Sequence, residues 1–181
     1  DSTNLYHFRN PSQRASTKFI RFANILSEPT EISFLAFCCL PFLPVDCKIA
    51  YVDTPALLPL IFSIKEQLKE FDKTRSIIPI NFESYFRLPD YDFKYRNEAV
   101  VIISASTSGG LARTLLSKFA QNQIFHILYL GFLAPIVGTV CDLRKDKSNP
   151  YGYEPIQAVE ESVCDECMRH SVFIPIESDQ F

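Results

Sequence analysis

Two stretches of this chain carry residue types and spacings that could do chemistry. Ser106-Thr107-Ser108-Gly109-Gly110 follows the apolar run Val100 to Ile103 and leads into the amphipathic run Leu111 to Phe119. At a helix start, unpaired N–H groups carry the positive end of the helix dipole, glycines let an anion approach the backbone, and Ser and Thr add hydroxyl donors. That composition suits phosphate binding. The loop has no Lys of the Walker type and no acidic residue to hold a ribose or a metal. The plainer alternative is a glycine-containing turn with no ligand. The second stretch is Cys164-Asp165-Glu166-Cys167-Met168-Arg169-His170. Two thiolates on one tight turn can reach a single tetrahedral Zn²⁺, and His170 and Cys141 are the candidates to complete its ligands. Zinc there would be structural. An unliganded thiol pair or a redox dithiol is the alternative.

Smaller features surround these. Asp53-Thr54-Pro55 stands between a strand-like and a helix-like run, with Asp53 or Thr54 placed to cap a helix that starts at Pro55. Arg87, Lys94 and Arg96 lie among Tyr85, Phe86, Tyr91, Phe93 and Tyr95. They could close over a phosphate or contact nucleic acid, or simply form a solvated loop with aromatic anchors. Arg113 could reinforce an anion or lie free on the surface. His7 and His126 have no neighbouring nucleophile and read as core or surface histidines. Asp142, Arg144, Lys145, Asp146 and Lys147 read as a solvated mixed-charge loop.

The elements that must position these residues follow a regular order. A short helix is expected within Arg14–Leu26, and helix or buried strand over Ile32–Phe42. Lys48–Val52 reads as a strand, followed by a helix from Pro55 to about Phe71. Ile77–Phe82 reads as a strand whose Pro79 suits an edge. Ser84–Glu98 is a long aperiodic excursion. The Val100 strand follows, then a helix to about Gln121, a strand over Ile124–Leu130 and a strand-like Ser171–Ile176. Strand–helix–strand–loop–strand–helix–strand predicts an α/β fold, an open, mainly parallel sheet flanked by helices. Residues 1–30 form an amino-terminal helical and extended segment, residues 31–140 the α/β core, and residues 141–181 a small cysteine-containing appendage.

Composition bounds the function. The 181 residues are 47% hydrophobic with sixteen Phe, enough for a well-buried core. A net charge of −3 offers no general field for nucleic acid. The apolar stretches are too short or too interrupted to span a bilayer. Six cysteines without disulfide-scaffold spacing favour a reducing, cytoplasmic setting. The chain opens on Asp1, as a processed chain or part of a larger one would.

Over about residues 33 to 140, the order of elements resembles the type I phosphoribosyltransferase fold. The resemblance implies a pyrophosphate-side loop at Asp53-Thr54, a flap over Ser84–Glu98 bearing Arg87, Lys94 and Arg96, and a 5′-phosphate cradle at Ser106, Thr107, Ser108, Gly109 and Gly110. It implies a phosphorylated ribose or nucleotide as ligand, with glycosyl transfer at C1 and Mg²⁺ where the transferase activity is retained. Where the family keeps two adjacent acids that hold the ribose hydroxyls, this chain has Ser104 and Ala105. Catalysis would need another carboxylate, Asp53 or Glu98, in that place. Divergent domains of this type occur as effector or sensor modules in bacterial defence systems, including those linked to retrons, and this chain resembles such a member. The Ser/Gly loop is also similar to the sugar-phosphate loop of sugar isomerase (SIS) domains. A non-catalytic module that contacts a protein partner beside a relic phosphate pocket is the remaining alternative.

Overall fold

Short β-branched and aromatic runs form the strands, and the computed structural model describes them within residues 5–10, 13–82, 88 and 90–176. In chain order these are β1 (Tyr6–Arg9), β2 (Ala15–Ser16), β3 (Ile49–Val52), β4 (Ile78–Asn81), β5 (Ala99–Ser106), β6 (Ile124–Tyr129), β7 (Gly138–Asp142) and β8 (Val172–Pro175). The principal helices are α1 (Pro29–Cys39) and α2 (Leu58–Phe71). A five-stranded sheet runs in the order β4-β3-β5-β6-β7 with every pair parallel, and helices flank it. The fold is α/β, as the alternation of elements implies.

Alternation along the central strands buries both faces, the pattern of a covered parallel sheet. Ala50, Val52, Val100, Ile102, Phe125 and Ile127 point to one core, closed by Leu60, Ile61, Ile64 and Leu68 of α2 and by Ala36 and Cys39 of α1. Each large side chain so buried contributes about 1.5–3 kcal/mol. Ile49, Tyr51, Val101, Ile103 and Ile124 point to the other core, under Leu115, Phe119 and Phe93. Thr54 Oγ1 accepts the Ala56 N–H, so the cap lies one residue before Pro55, and a 3₁₀ turn there leads into α2. Pro79 lies on the edge strand β4, where its missing N–H costs no ladder bond.

Several local expectations change. Arg14–Leu26 is not a helix beyond one 3₁₀ turn, Phe22–Ile25, because β2 takes up its first residues. The apolar run after Ile32 is helical. The helix after the Ser/Gly loop stops at Leu115, well short of Gln121. Ser106 belongs to the end of β5 rather than to the loop. Of the excursion, residues 83–87 and 89 lie outside the described residues. Its later part is packed cover: Phe93 is buried edge-on against Tyr51 and Phe119 at centroid distances of 4.9 and 5.0 Å.

The chain's two ends meet in a second sheet of order β2-β1-β8, in which β1 and β8 are parallel with Tyr6 opposite Val172. Exposed ion pairs Arg9–Glu161 and Arg14–Glu160 border it. Among the described residues, no helix is long and apolar enough to cross a membrane.

Candidate functional site

Strand order reverses between β3 and β5: the chain passes from β3 out to the edge strand β4, then returns to pair β5 on the other side of β3. The loops leaving the two strands therefore diverge at their carboxyl ends, where open α/β sheets usually bind ligands in a crevice. Asp53-Thr54 leaves β3 there, and Thr107–Gly110 leaves β5.

Asp53 is buried and spans the gap. Its Oδ1 accepts the Ser104 N–H at 3.0 Å and its Oδ2 accepts the Ser104 hydroxyl at 2.9 Å. A carboxylate from one strand thus reaches the position on the next where the phosphoribosyltransferase resemblance expects an acid. Both of its oxygens are engaged in holding the two strand ends together. The buried Thr54 is used as the cap described above.

The loop's hydroxyls bind its own backbone. Ser106 Oγ accepts the Gly109 N–H at 2.9 Å, and Ser108 Oγ accepts the Gly110 N–H at 3.2 Å. Gly109 has φ of +68°, a left-handed conformation that glycine adopts without strain. Arg113 folds back over the loop, donating to the Ser108 carbonyl at 2.6 Å. The Tyr129 ring lies beneath: its hydroxyl donates to the Leu133 carbonyl, and a Cβ on Gly131 would collide with that hydroxyl. Burial raises the Tyr129 phenol above its ordinary pKa, while Arg144 and Arg113 pull it back. Asp142 and Arg144 are not a solvated loop. Arg144 Nε and Nη2 donate to the Asp142 carboxylate at 2.9 and 2.7 Å, and the guanidinium faces the Tyr129 ring at 5.5 Å. The fork holds the Asp142 carboxyl below its usual range. Tyr129 and this ion pair gave no local sequence signal, because strand pairing brings them to the loop.

Two other expected site residues, Glu98 and Arg96, lie elsewhere. Glu98 precedes β5 at the opposite end of the sheet, about 26 Å from Ser106 at the usual strand rise, and pairs with Lys48 at 2.6 Å. It cannot supply a carboxylate to the crevice. Arg96 shares the 3₁₀ turn with Glu98 at that far end. Lys94 is exposed in the packed part of the excursion, and Arg87 lies outside the described residues.

The cysteine motif assembles differently from its sequence reading. Cys164 Sγ, Cys167 Sγ and a ring nitrogen of His7 lie within 4.8 Å of one another, a set that could hold a metal ion. His7 Nε2 is 3.2 Å from Cys167 Sγ, and Nδ1 is 3.0 Å from Ser171 Oγ. His170 and Cys141 are not in this set. His170 is exposed with φ of +59°, and Cys141 pairs in register with Leu128 in the main sheet. The third member is thus His7, a histidine of the amino-terminal segment that read from sequence as a core or surface residue. Burial lowers the His7 pKa despite the opposing Glu166 carboxylate, which favours the neutral ring. Burial, then the neighbouring Cys164, pushes the Cys167 thiol up to about 11.

His126 is fully buried, and desolvation pushes its pKa down to about 4. Cys39 and Cys47 are buried thiols raised by burial to about 12 and about 11, unreactive core members. No protein-family model matches this chain, and no curated protein matches it significantly.

Proposed function

We propose that the chain binds a phosphorylated ribose or nucleotide in the crevice between Asp53-Thr54 and the Thr107–Gly110 loop. The reversal of strand order between β3 and β5 carries this reading. Arg113 adds cationic character beside a glycine-containing loop, the recognition chemistry of a phosphate. The buried Asp53 orders the crevice and leaves no free oxygen for a sugar hydroxyl, so the reading is of binding. Transfer at C1, with its Mg²⁺, would require that carboxylate to swing free. Binding without turnover suits a sensor or effector module, the defence role that the resemblance implies. The unreactive core thiols suit a reducing, cytoplasmic setting. Zinc is the metal this reading assigns to Cys164 and Cys167, in a structural role.

Calorimetric titration with phosphoribosyl pyrophosphate, ribose 5-phosphate and mononucleotides tests it. Gly109→Asp places a negative charge in the loop and should weaken binding at least about tenfold, or 1.4 kcal/mol. Gly109→Asn imposes a similar backbone demand without charge and should retain most of the affinity. Failure of the folded wild type to bind any of these ligands overturns the reading.

One observation favours the alternative, an interaction module. Exposed Phe34, Phe37 and Phe71 surround an open recess of about 470 Å³ between α1 and α2. Self-association of the wild type that is lost in Phe37→Glu, with no phosphate-ligand binding, would establish this second reading.

A further inference from the structure

We propose that His7 completes a zinc site with Cys164 and Cys167, and that the metal staples β1 to the carboxyl-terminal region, closing the three-stranded sheet. This rests on the assignment of zinc to the cysteine pair and is independent of the phosphate crevice.

The ligand set is the first argument. Two thiols and an imidazole converge within 4.8 Å, and their chemistry suits Zn²⁺ over the harder divalent cations. The His7 ring is oriented as a ligand would be. A hydroxyl partner at Nδ1, from Ser171, leaves the Nε2 lone pair toward the sulfurs, the outer-shell arrangement that fixes metal-binding histidines. His7 is fully buried and Cys164 nearly so.

A second observation points to a cation independently. Glu166 Oε2 is buried and has no hydrogen-bond partner among the described residues, and its charge acts on His7. A buried carboxylate oxygen without a partner is costly unless positive charge compensates it. Arg9 acts on His7 and Cys167 from the same neighbourhood, and Zn²⁺ adds to that compensating charge. The fourth coordination position then falls to Glu166, after a side-chain rotation, or to water. On binding, the two thiols release their protons to solvent and both sulfurs bond the metal as thiolates.

The position of the site gives it a consequence. His7 and Cys167 are 160 residues apart, and among the described residues β1 has only β2 and β8 as sheet partners. The ion pairs around this sheet are exposed, and such pairs stabilise little. A metal held by β1 and by the turn before β8 couples the ordering of both ends of the chain.

The test uses the whole chain purified under reducing conditions, stripped with chelator and titrated with Zn²⁺ or with Co²⁺ as a spectroscopic probe. One metal per chain is expected, with thiolate-to-Co²⁺ charge-transfer bands and the intense visible bands of tetrahedral geometry. His7→Ala should weaken uptake by more than tenfold and change the visible bands, and Ser171→Ala should weaken it by about tenfold. In the wild type, removing the metal should speed amide hydrogen exchange in residues 6–9 and 172–175 together, and restoring it should reverse this. No uptake by the reduced wild type, with or without a Cys164–Cys167 disulfide on oxidation, defeats the zinc assignment and this inference with it. Uptake with the same affinity and spectrum in His7→Ala, or exchange unchanged by metal removal, overturns the staple while leaving zinc on the cysteine pair.

Discussion

The loop at the carboxyl end of β5 and the His7–Cys164–Cys167 cluster satisfy their polar groups in opposite ways. The loop is local and closed on itself: Ser106 caps Gly109, Ser108 caps Gly110, and Ser104 holds Asp53. Its shape exists before any ligand arrives, and a ligand must compete for those groups or use what they leave exposed. The cluster joins positions 160 residues apart and leaves a buried carboxylate oxygen without a partner among the described residues. A closed polar network shapes a site, whereas an incomplete one draws in a counter-charge.

Removing a bound metal should have the largest effect. With Zn²⁺ at a thousandfold excess over its dissociation constant, linkage gives about 4 kcal/mol of stability. Stripping the metal should therefore lower the thermal midpoint by roughly 10 °C for a chain of this size. Scanning calorimetry with and without chelator measures this, and an unchanged midpoint would mean that the cluster is as self-sufficient as the loop.

His126 offers a pH test outside both regions. Its folded pKa of about 4 lies below the unfolded 6.5, so the unfolded chain takes up the proton first as pH falls. Stability is full above pH 6.5 and should decline by about 3 kcal/mol as pH drops to 4. Urea denaturation across that range should show a shallower decline in His126→Leu. An equal decline in both proteins would remove His126 as the cause.

In the closed region, Ser104→Ala should cost about 2 kcal/mol, because it strips a hydrogen bond from a buried carboxylate. Ser106→Ala should cost about 1 kcal/mol by freeing the Gly109 N–H. If denaturation shows Ser106→Ala to be neutral while phosphate-ligand affinity falls, that hydroxyl serves the ligand rather than the loop. The smallest effect is expected at the far end of the sheet. Glu98→Ala breaks only the exposed pair with Lys48 and should change neither stability nor ligand binding measurably. A loss of ligand binding there would return Glu98 to the candidate acids.

The α/β architecture was legible because central strands such as Val100–Ile103 and Ile124–Leu130 are continuous apolar runs separated by helical periods. Helix ends were less so. The helix after Gly109 was expected to continue to Gln121 but ends at Leu115, where Phe119 turns down into the core beside Phe93. Asp142–Arg144 read as solvated because its neighbours are charged, yet β7 carries it to the Tyr129 ring.

By itself, the sequence determined the features encoded over a few residues: the strand and helix periods, a cap at Asp53 or Thr54 before Pro55, the glycine-containing turn after Ser108 and the two-cysteine turn. Local sterics and hydrogen bonding decide these within one turn of chain. Only the tertiary structure decided which carboxylate faces Ser104, that Glu98 lies at the wrong end of the sheet, and that His7 rather than His170 or Cys141 joins the cysteines. Each of these follows from strand order and register, set by how distant apolar faces bury one another, and no spacing along the chain records that.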